Sequence, residues 1–172
     1  MFEPELTTRV SVEVDVSEID NALTVVGGDD ILSQIGIDEI LDETKNTLQN
    51  LRAPLAEAVA ERLSSNQETI ISTKHYITGM MSNSVDVFSD GDDYLVGNTA
   101  SSVDGFPYPL AIEKGTNAHW VAPITYNALH WVEGGEDRFS KGHMVSGIKA
   151  DPFVQPSIDL TLADIDAILD DL

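Results

Sequence analysis

The spacing of apolar residues changes period along the chain, and each change predicts an element. From Arg9 to Val16, apolar and polar residues alternate. Val10, Val12, Val14 and Val16 fall on one side of an extended chain, the pattern of a half-buried strand. Ser17 is placed to cap a short helix over Glu18–Val25 that ends at Gly27-Gly28. From Ile37 the period lengthens to three or four. Ile37, Ile40, Leu41, Thr44, Leu48, Leu51, Leu55, Val59 and Leu63 form one stripe on a long helix, extended by Ile70 and Ile71. Acids gather in its first turns (Asp38, Glu39, Asp42, Glu43), where the helix dipole favours them. Pro54 lies inside the pattern and removes a backbone donor, which predicts a kink or break near Leu51.

The second half reads as shorter pieces. Val85, Val87 and Phe88, the turn residues Asp90-Gly91-Asp92-Asp93, and Tyr94–Gly97 predict a hairpin. In YPLAIEKGTNAHWVAP (Tyr108–Pro123), Pro109 suits the first helical position, Leu110–Lys114 is a short helix, and Gly115 fills the slot past its end. A positive φ is expected at Gly115, with a cost of about 1 kcal/mol or more for any other residue. His119–Val121 should be extended ahead of Pro123. Ala128–Val132 suggests a helical turn, Gly134–Gly147 a mobile polar loop, and Thr161–Leu172 a closing helix with Leu162, Ile165, Leu169 and Leu172 on one face. The expectation is a single α+β domain over residues 1–172, a twisted antiparallel sheet packed by one long helix and several short ones. Residues 1–28 (strand and short helix) would be an extension of it.

Charge sharpens the picture. Thirty Asp and Glu oppose nine Lys and Arg, a net charge of −21, with a pI near 4.1. The acids are spread along the chain: residues 1–43 hold twelve acids and one base, and residues 151–172 hold six acids and none. Such self-repulsion destabilises a compact state in dilute salt and is screened when the Debye length falls to about 3 Å near 1 M. Adaptation to molar salt, as in salt-loving archaea and their viruses, accounts for it better than an acidic partner-binding face. Affinity for phosphate backbones needs clustered Lys and Arg and is not expected. Zero cysteines exclude disulfides and thiolate ligands. No apolar run approaches the ~20 residues of a membrane span, and the first residues lack the layout of a secretory signal.

Candidate chemistry is thin. His75, His119, His130 and His143 show no zinc-ligand spacing. Asp90, Asp92 and Asp93 around Gly91 resemble a fragment of a calcium loop but lack its twelfth-position Glu. Glu113 and His119 would suit a small hydrolase as an acid–base pair, yet no nucleophile elbow accompanies them. No phosphate-binding glycine motif is present. No catalytic, metal or cofactor-binding residues are therefore assigned. The aromatics of the last third suit a core or a subunit interface.

The order of motifs carries a resemblance. Thr78-Gly79-Met80 leads to Ser84-Val85, then the hairpin. Tyr108, Glu113, Gly115, Thr116, His119, Val121 and Pro123 follow, with Trp120 inside that run, then Ala128-Leu129-x-Trp131, then Pro152-Phe153-x-x-Pro156-Ser157-Ile158. Over about residues 45–172 this is similar to the tail-completion (head–tail joining, neck) family of long-tailed double-stranded DNA phages. Members carry a TG-x-L-x-x-S segment, a Y…E-x-GT-x-x-H segment and a closing PF-x-x-PA ahead of a C-terminal helix. Here Met80 stands for the leucine, Ser157 for the alanine, and Lys114 where an aromatic is common. The resemblance implies a structural virion protein, made in the host cytoplasm, that forms a ring, usually a hexamer, in the neck. A head-completion or adaptor protein would lie on one side and a tail terminator or tail tube on the other. Viral DNA would pass through the lumen without specific binding, helped by an acidic wall. It implies no enzyme, cofactor or membrane partner. A tail terminator or minor tail protein is the neighbouring alternative.

Overall fold

A computed structural model describes residues 6–13, 15, 37–75, 79–102 and 105–172. The short helix expected over Glu18–Val25 and the motif residue Thr78 lie outside them.

The chain is a mixed α+β domain. Strands β1 (Thr7–Val10), β2 (Val85–Asp90) and β3 (Asp93–Asn98) form an antiparallel sheet in the order β1-β3-β2. The β2–β3 hairpin closes on Asp90 opposite Asp93. Gly91 takes φ +68° at the first turn position, as a tight hairpin whose twist matches its strands requires. The strand expected to run to Val16 stops at Val10. Val10 faces Tyr94, near the start of β3, so the partner strand is exhausted. Arg9 reaches the hairpin tip instead, 2.7 Å from Asp90 and 3.3 Å from Asp93, and Arg52 also meets Asp93 at 3.3 Å. Two of the three acids that resembled a calcium loop, Asp90 and Asp93, are thus answered by two arginines.

Helices α1 (Ile37–Asn50) and α2 (Arg52–Lys74) meet at Leu51, where the break was expected. Pro54 has no N–H for the Asn50 carbonyl, and Leu51 relaxes to φ −77°, ψ −13°. The bonds on either side persist: Leu51 N–H donates to the Thr47 carbonyl and Leu55 N–H to the Leu51 carbonyl. The buried face of α2 matches the expected stripe only in its C-terminal part, at Leu63 and Ile71, with Val59 and Ile70 packed at its edge. It consists of Ala56, Ala60, Leu63, Ser64, Gln67 and Ile71, whereas Ile40 is 62% exposed and Leu51 is also on the surface. Small residues win on this face because α2 lies close against the sheet on one side and a C-terminal helix on the other. Tyr94 also faces α2, and its phenol is held above its usual pKa by desolvation and then by Glu57 and Glu61.

The rest of the chain runs through α3 (Tyr108–Lys114), β4 (His119–Val121), β5 (Leu129–Glu133), β6 (Glu136–Ser140), β7 (His143–Val145), α4 (Val154–Ala163) and α5 (Ile165–Asp170). Two small two-stranded sheets, β4-β7 and β5-β6, replace a continuation of the main sheet. The helical turn expected at Ala128–Val132 is strand β5, and the loop expected over Gly134–Gly147 holds β6 and β7. The Gly134-Gly135 pair, with φ +61° and +83°, makes the two-residue turn between β5 and β6. The closing helix begins at Val154, not Thr161, and turns Phe153, Ser157, Thr161 and Ile168 inward. Leu162, Leu169 and Leu172 face outward.

Val10, Ala60, Leu63, Ile71, Met81, Val85, Val96, Ala100 and Phe153 form the core. Around it lies a surface of net charge −21. Raising KCl from ~0.1 to ~2 M should therefore raise the melting temperature, because screening removes repulsion between carboxylates. An unchanged melting temperature over that range would contradict salt adaptation.

Candidate functional site

Two of the segments that carry the family resemblance, Tyr108–Thr116 and Pro152–Ser157, meet at one junction. Pro109 stands in the first turn of α3 and is buried. Tyr108 and Ile112 pack against the core that contains fully buried Phe153. Glu113 points from the end of α3 to the start of α4. Its Oε2 accepts hydrogen bonds from the Phe153 N–H at 2.8 Å and the Val154 N–H at 3.2 Å. No side chain of the α4 cap residue does this locally, so a carboxylate forty residues upstream supplies the cap. The Asp151 N–H adds a bond to the Ile112 carbonyl at 2.9 Å. Pro156 is the third residue of α4, where a missing N–H breaks no helical bond, and Pro152 stands exposed just before the turn into it.

Gly115 ends α3 with φ +71° and ψ 175°, a region open to glycine alone. A Cβ there would lie 2.6 Å from the Ala150 nitrogen and 2.8 Å from the Ile148 oxygen. Thr116 closes the other side: its N–H donates to the Ile148 carbonyl at 2.9 Å, and its Oγ1 accepts from the Ile148 N–H at 3.1 Å. Gly147, at φ +76°, sits where a Cβ would strike the carbonyls of Thr116 and Asn117. Glu113, Gly115 and Thr116 therefore tie α3 to the segment that leads into α4. In the first segment, Gly79 adopts φ +76° and its carbonyl accepts from the Asn83 N–H at 3.0 Å. The core methionine is Met81, at 5% exposure. Met80, the motif position, is 57% exposed.

The remaining motif residues point outward. His119 is exposed, and its Nδ1 donates to the Asn117 carbonyl at 2.9 Å. It lines a groove of about 240 Å³ with Phe106, Thr116 and Ile148, and Glu113 is absent from that lining. The two members of the candidate acid–base pair thus have separate partners, one in a helix cap and one in its own loop. Trp120 lies over Gly142, close enough that a Cβ there would come within 2.8 Å of the ring. Trp131 is tilted against His143 with centroids 5.1 Å apart. Pro123 borders a larger groove of about 950 Å³ between residues 122–128 and the β5–β6 hairpin, with Ile124, Tyr126, His130 and Phe139. His130 bonds Asp137 at 2.8 Å and stacks on Phe139 at 4.9 Å. Ile124 is 96% and Tyr126 81% exposed. Tyr126 and Phe139 are among the aromatics of the last third that the sequence assigned to a core or subunit interface, whereas Ile124 was not singled out.

Among the described residues, no group of three or more His, Asp or Glu is placed to hold a metal ion, and no helix is long and apolar enough to cross a membrane. Compared with protein-family models, curated proteins and solved structures, the chain matches none.

Proposed function

We propose that this chain is a structural protein of a virion neck that joins the capsid connector to the tail as a homo-oligomeric ring, in a form adapted to molar salt. The observation that carries the reading is the junction. Residues of the Y…E-x-GT segment and of the PF-x-x-P segment, about forty positions apart, are bonded to each other through Glu113, Phe153 and Val154. Positions that bear the resemblance are thus the positions that make the local structure. The exposed aromatics beyond the junction suit subunit contact, since aromatic residues are enriched at interface cores. Glu113 engaged in a helix cap favours a scaffold over the hydrolase alternative. The ring would contact a head-completion or adaptor protein on one face and a tail terminator or tail tube on the other, with DNA passing through an acidic lumen.

The test is electron microscopy of the protein in ~2 M KCl, where like-charge repulsion is screened, together with the position of the chain in a density map of the virus particle. Closed rings with a central opening, and density at the neck, are the expected result. A protein monomeric at every salt concentration, or located away from the neck, would overturn the proposal.

A further inference from the structure

Charge is divided unevenly over this molecule. Residues 105–150 hold four acids and four bases, while all other residues hold 26 acids and five bases. Some of the cations also gather in space. Where α2, α3 and α4 meet, the Asp151 carboxylate lies 3.7 Å from the Lys74 ammonium and 3.6 Å from His75 Nε2. The Asp151 N–H donates to the carbonyl of Ile112, two residues before Lys114. Gly115 follows Lys114, and a Cβ there would lie 2.6 Å from the Ala150 nitrogen, the atom bonded to Lys149. Lys74, His75, Lys114 and Lys149 thus spring from one small area. The acids of that area are committed: Asp151 is shared by Lys74 and His75, and Glu113 caps α4. Lys114 and Lys149 are exposed and make no ion pair among the described residues. In a protein of net charge −21, this is a basic face whose own acids are spent.

Acids that match it stand on α1. Glu39, Asp42 and Glu43 are spaced i, i+3 and i+4, so they share one helical face. All three are exposed, and none forms an ion pair among the described residues. Acids elsewhere are answered: Asp90 and Asp93 by Arg9 and Arg52, Asp164 by Arg62 and Glu136 by Arg138. The remaining acids of α4 and α5 sit on helices already packed against α2. α1 is held more loosely. Among the described elements it makes extensive contact with α2 alone, across the break at Leu51. Ile40, beside its acids, is 62% exposed, and Ile148, next to Lys149, is 48% exposed. Each surface therefore carries apolar area alongside its charge.

We infer that the Lys114–Lys149 face of one copy receives the acidic face of α1 from a second copy. The two surfaces differ, so the contact is head-to-tail, and repetition of it closes a ring or extends a filament. That the occupant is a second copy rests on the ring reading. That it is α1 rests on the unanswered acids of that helix and its loose attachment. Salt screens distant exposed charges more than partly buried pairs. In brine the contact persists while general repulsion between copies is removed. Duplex DNA is the poorer match, because attraction to phosphates through a few lysines falls steeply as salt rises.

Two charge-reversed variants test it, each at exposed positions: Lys114→Glu with Lys149→Glu, and Glu39→Lys with Glu43→Lys. Light scattering and analytical ultracentrifugation in ~2 M KCl, a salt concentration that screens net repulsion, should find wild type assembled and both variants monomeric. The second variant is less negative than wild type, so general repulsion would favour its assembly. Only loss of a specific contact makes it monomeric. All four changes in one chain should restore assembly, because the two surfaces match again with their signs exchanged. A quadruple variant that stays monomeric would overturn the inference. Rings that survive both reversals would sink this contact and leave the ring reading standing. A monomeric wild type would sink both. Retention of a duplex DNA fragment in ~0.1 M KCl by wild type, lost in the lysine variant, would assign these lysines to phosphate instead. If a reversed variant melts early, the cysteine-free chain offers a second readout. Glu43→Cys and Lys149→Cys proteins, mixed under mild oxidation, should form a mixed disulfide in higher yield than either forms with itself, and equal yields would count against the contact.

Discussion

Gly115→Ala should lower stability by about 3 kcal/mol, combining roughly 1–3 kcal/mol for a side chain in a glycine-only backbone region with about 1–3 kcal/mol for the displaced neighbours. The neighbours are backbone atoms of Ile148 and Ala150. They cannot swing aside as a flexible side chain would. For a chain of this length the melting temperature should fall by about 6–12 °C, read by circular dichroism in a salt concentration that supports the fold. Gly147→Ala faces Thr116 and Asn117 across the same junction and should cost at least as much. The two changes act on one set of hydrogen bonds, so their effects should not add. A Gly115→Ala protein that melts within about 2 °C of wild type would show that the segment before α4 is free to move away.

After the two glycines, replacing Glu113 has the largest expected effect. Glu113→Ala removes a carboxylate that accepts from two backbone N–H groups at the start of α4. Charge-assisted bonds of this kind contribute about 1.5–3 kcal/mol, and the carboxylate also opposes the positive end of the helix dipole. A loss of about 2–3 kcal/mol in a urea titration is expected. Glu113→Gln keeps an acceptor oxygen and loses the charge, so about half of that loss should remain. His119→Ala, at an exposed position whose hydrogen bond stays within its own loop, should change stability by less than about 0.5 kcal/mol. Equal losses at Glu113 and His119 would contradict the division of roles between them.

How far the fold could be read from the sequence depends on whether the cause of each element is local. Gly91 between acids, the missing donor at Pro54 and the helix stop at Gly115 act within a few residues, and each produces the predicted turn, break or cap. The start of α4 does not. Its cap is Glu113, forty residues away, and no spacing rule reaches that far. The β5–β6 hairpin was read as a helical turn followed by a loop because both its faces are exposed, which erases the alternation that burial imposes. The Gly134-Gly135 pair was the surviving signal. Helix faces were misjudged for the opposite reason: Ala56, Ala60, Ser64, Ser157 and Thr161 are buried because they are small, while Leu162 and Leu169 stay outside. Hydrophobic periodicity marks what can be buried, and close packing selected the thinner side.

The site was legible only in part. Glu113, Gly115, Thr116 and Phe153 were named from sequence, and the structure joins them. Their number and order suggested relatedness, while the hydrogen bonds that unite them came only with the coordinates. Lys141 and Lys149 carried no motif at all. With Lys114 they make no ion pair among the described residues, whereas Arg9, Arg52, Arg62, Lys74 and Arg138 each meet an acid.

The thin seam between α2 and α4 has a thermodynamic consequence. Ala56, Ala60, Ser64 and Gln67 are buried on one helix and Ser157 and Thr161 on the other, and Asn66 bonds Thr161 across the seam at 3.0 Å. Little hydrocarbon is withdrawn from water there, so unfolding should release a smaller heat-capacity increment than a leucine-lined seam of the same length would. The curve of stability against temperature is correspondingly shallow. Excluded salts enlarge the stabilisation obtained from each unit of buried area, which lets a lean interior suffice in brine and leaves it with little reserve in dilute buffer.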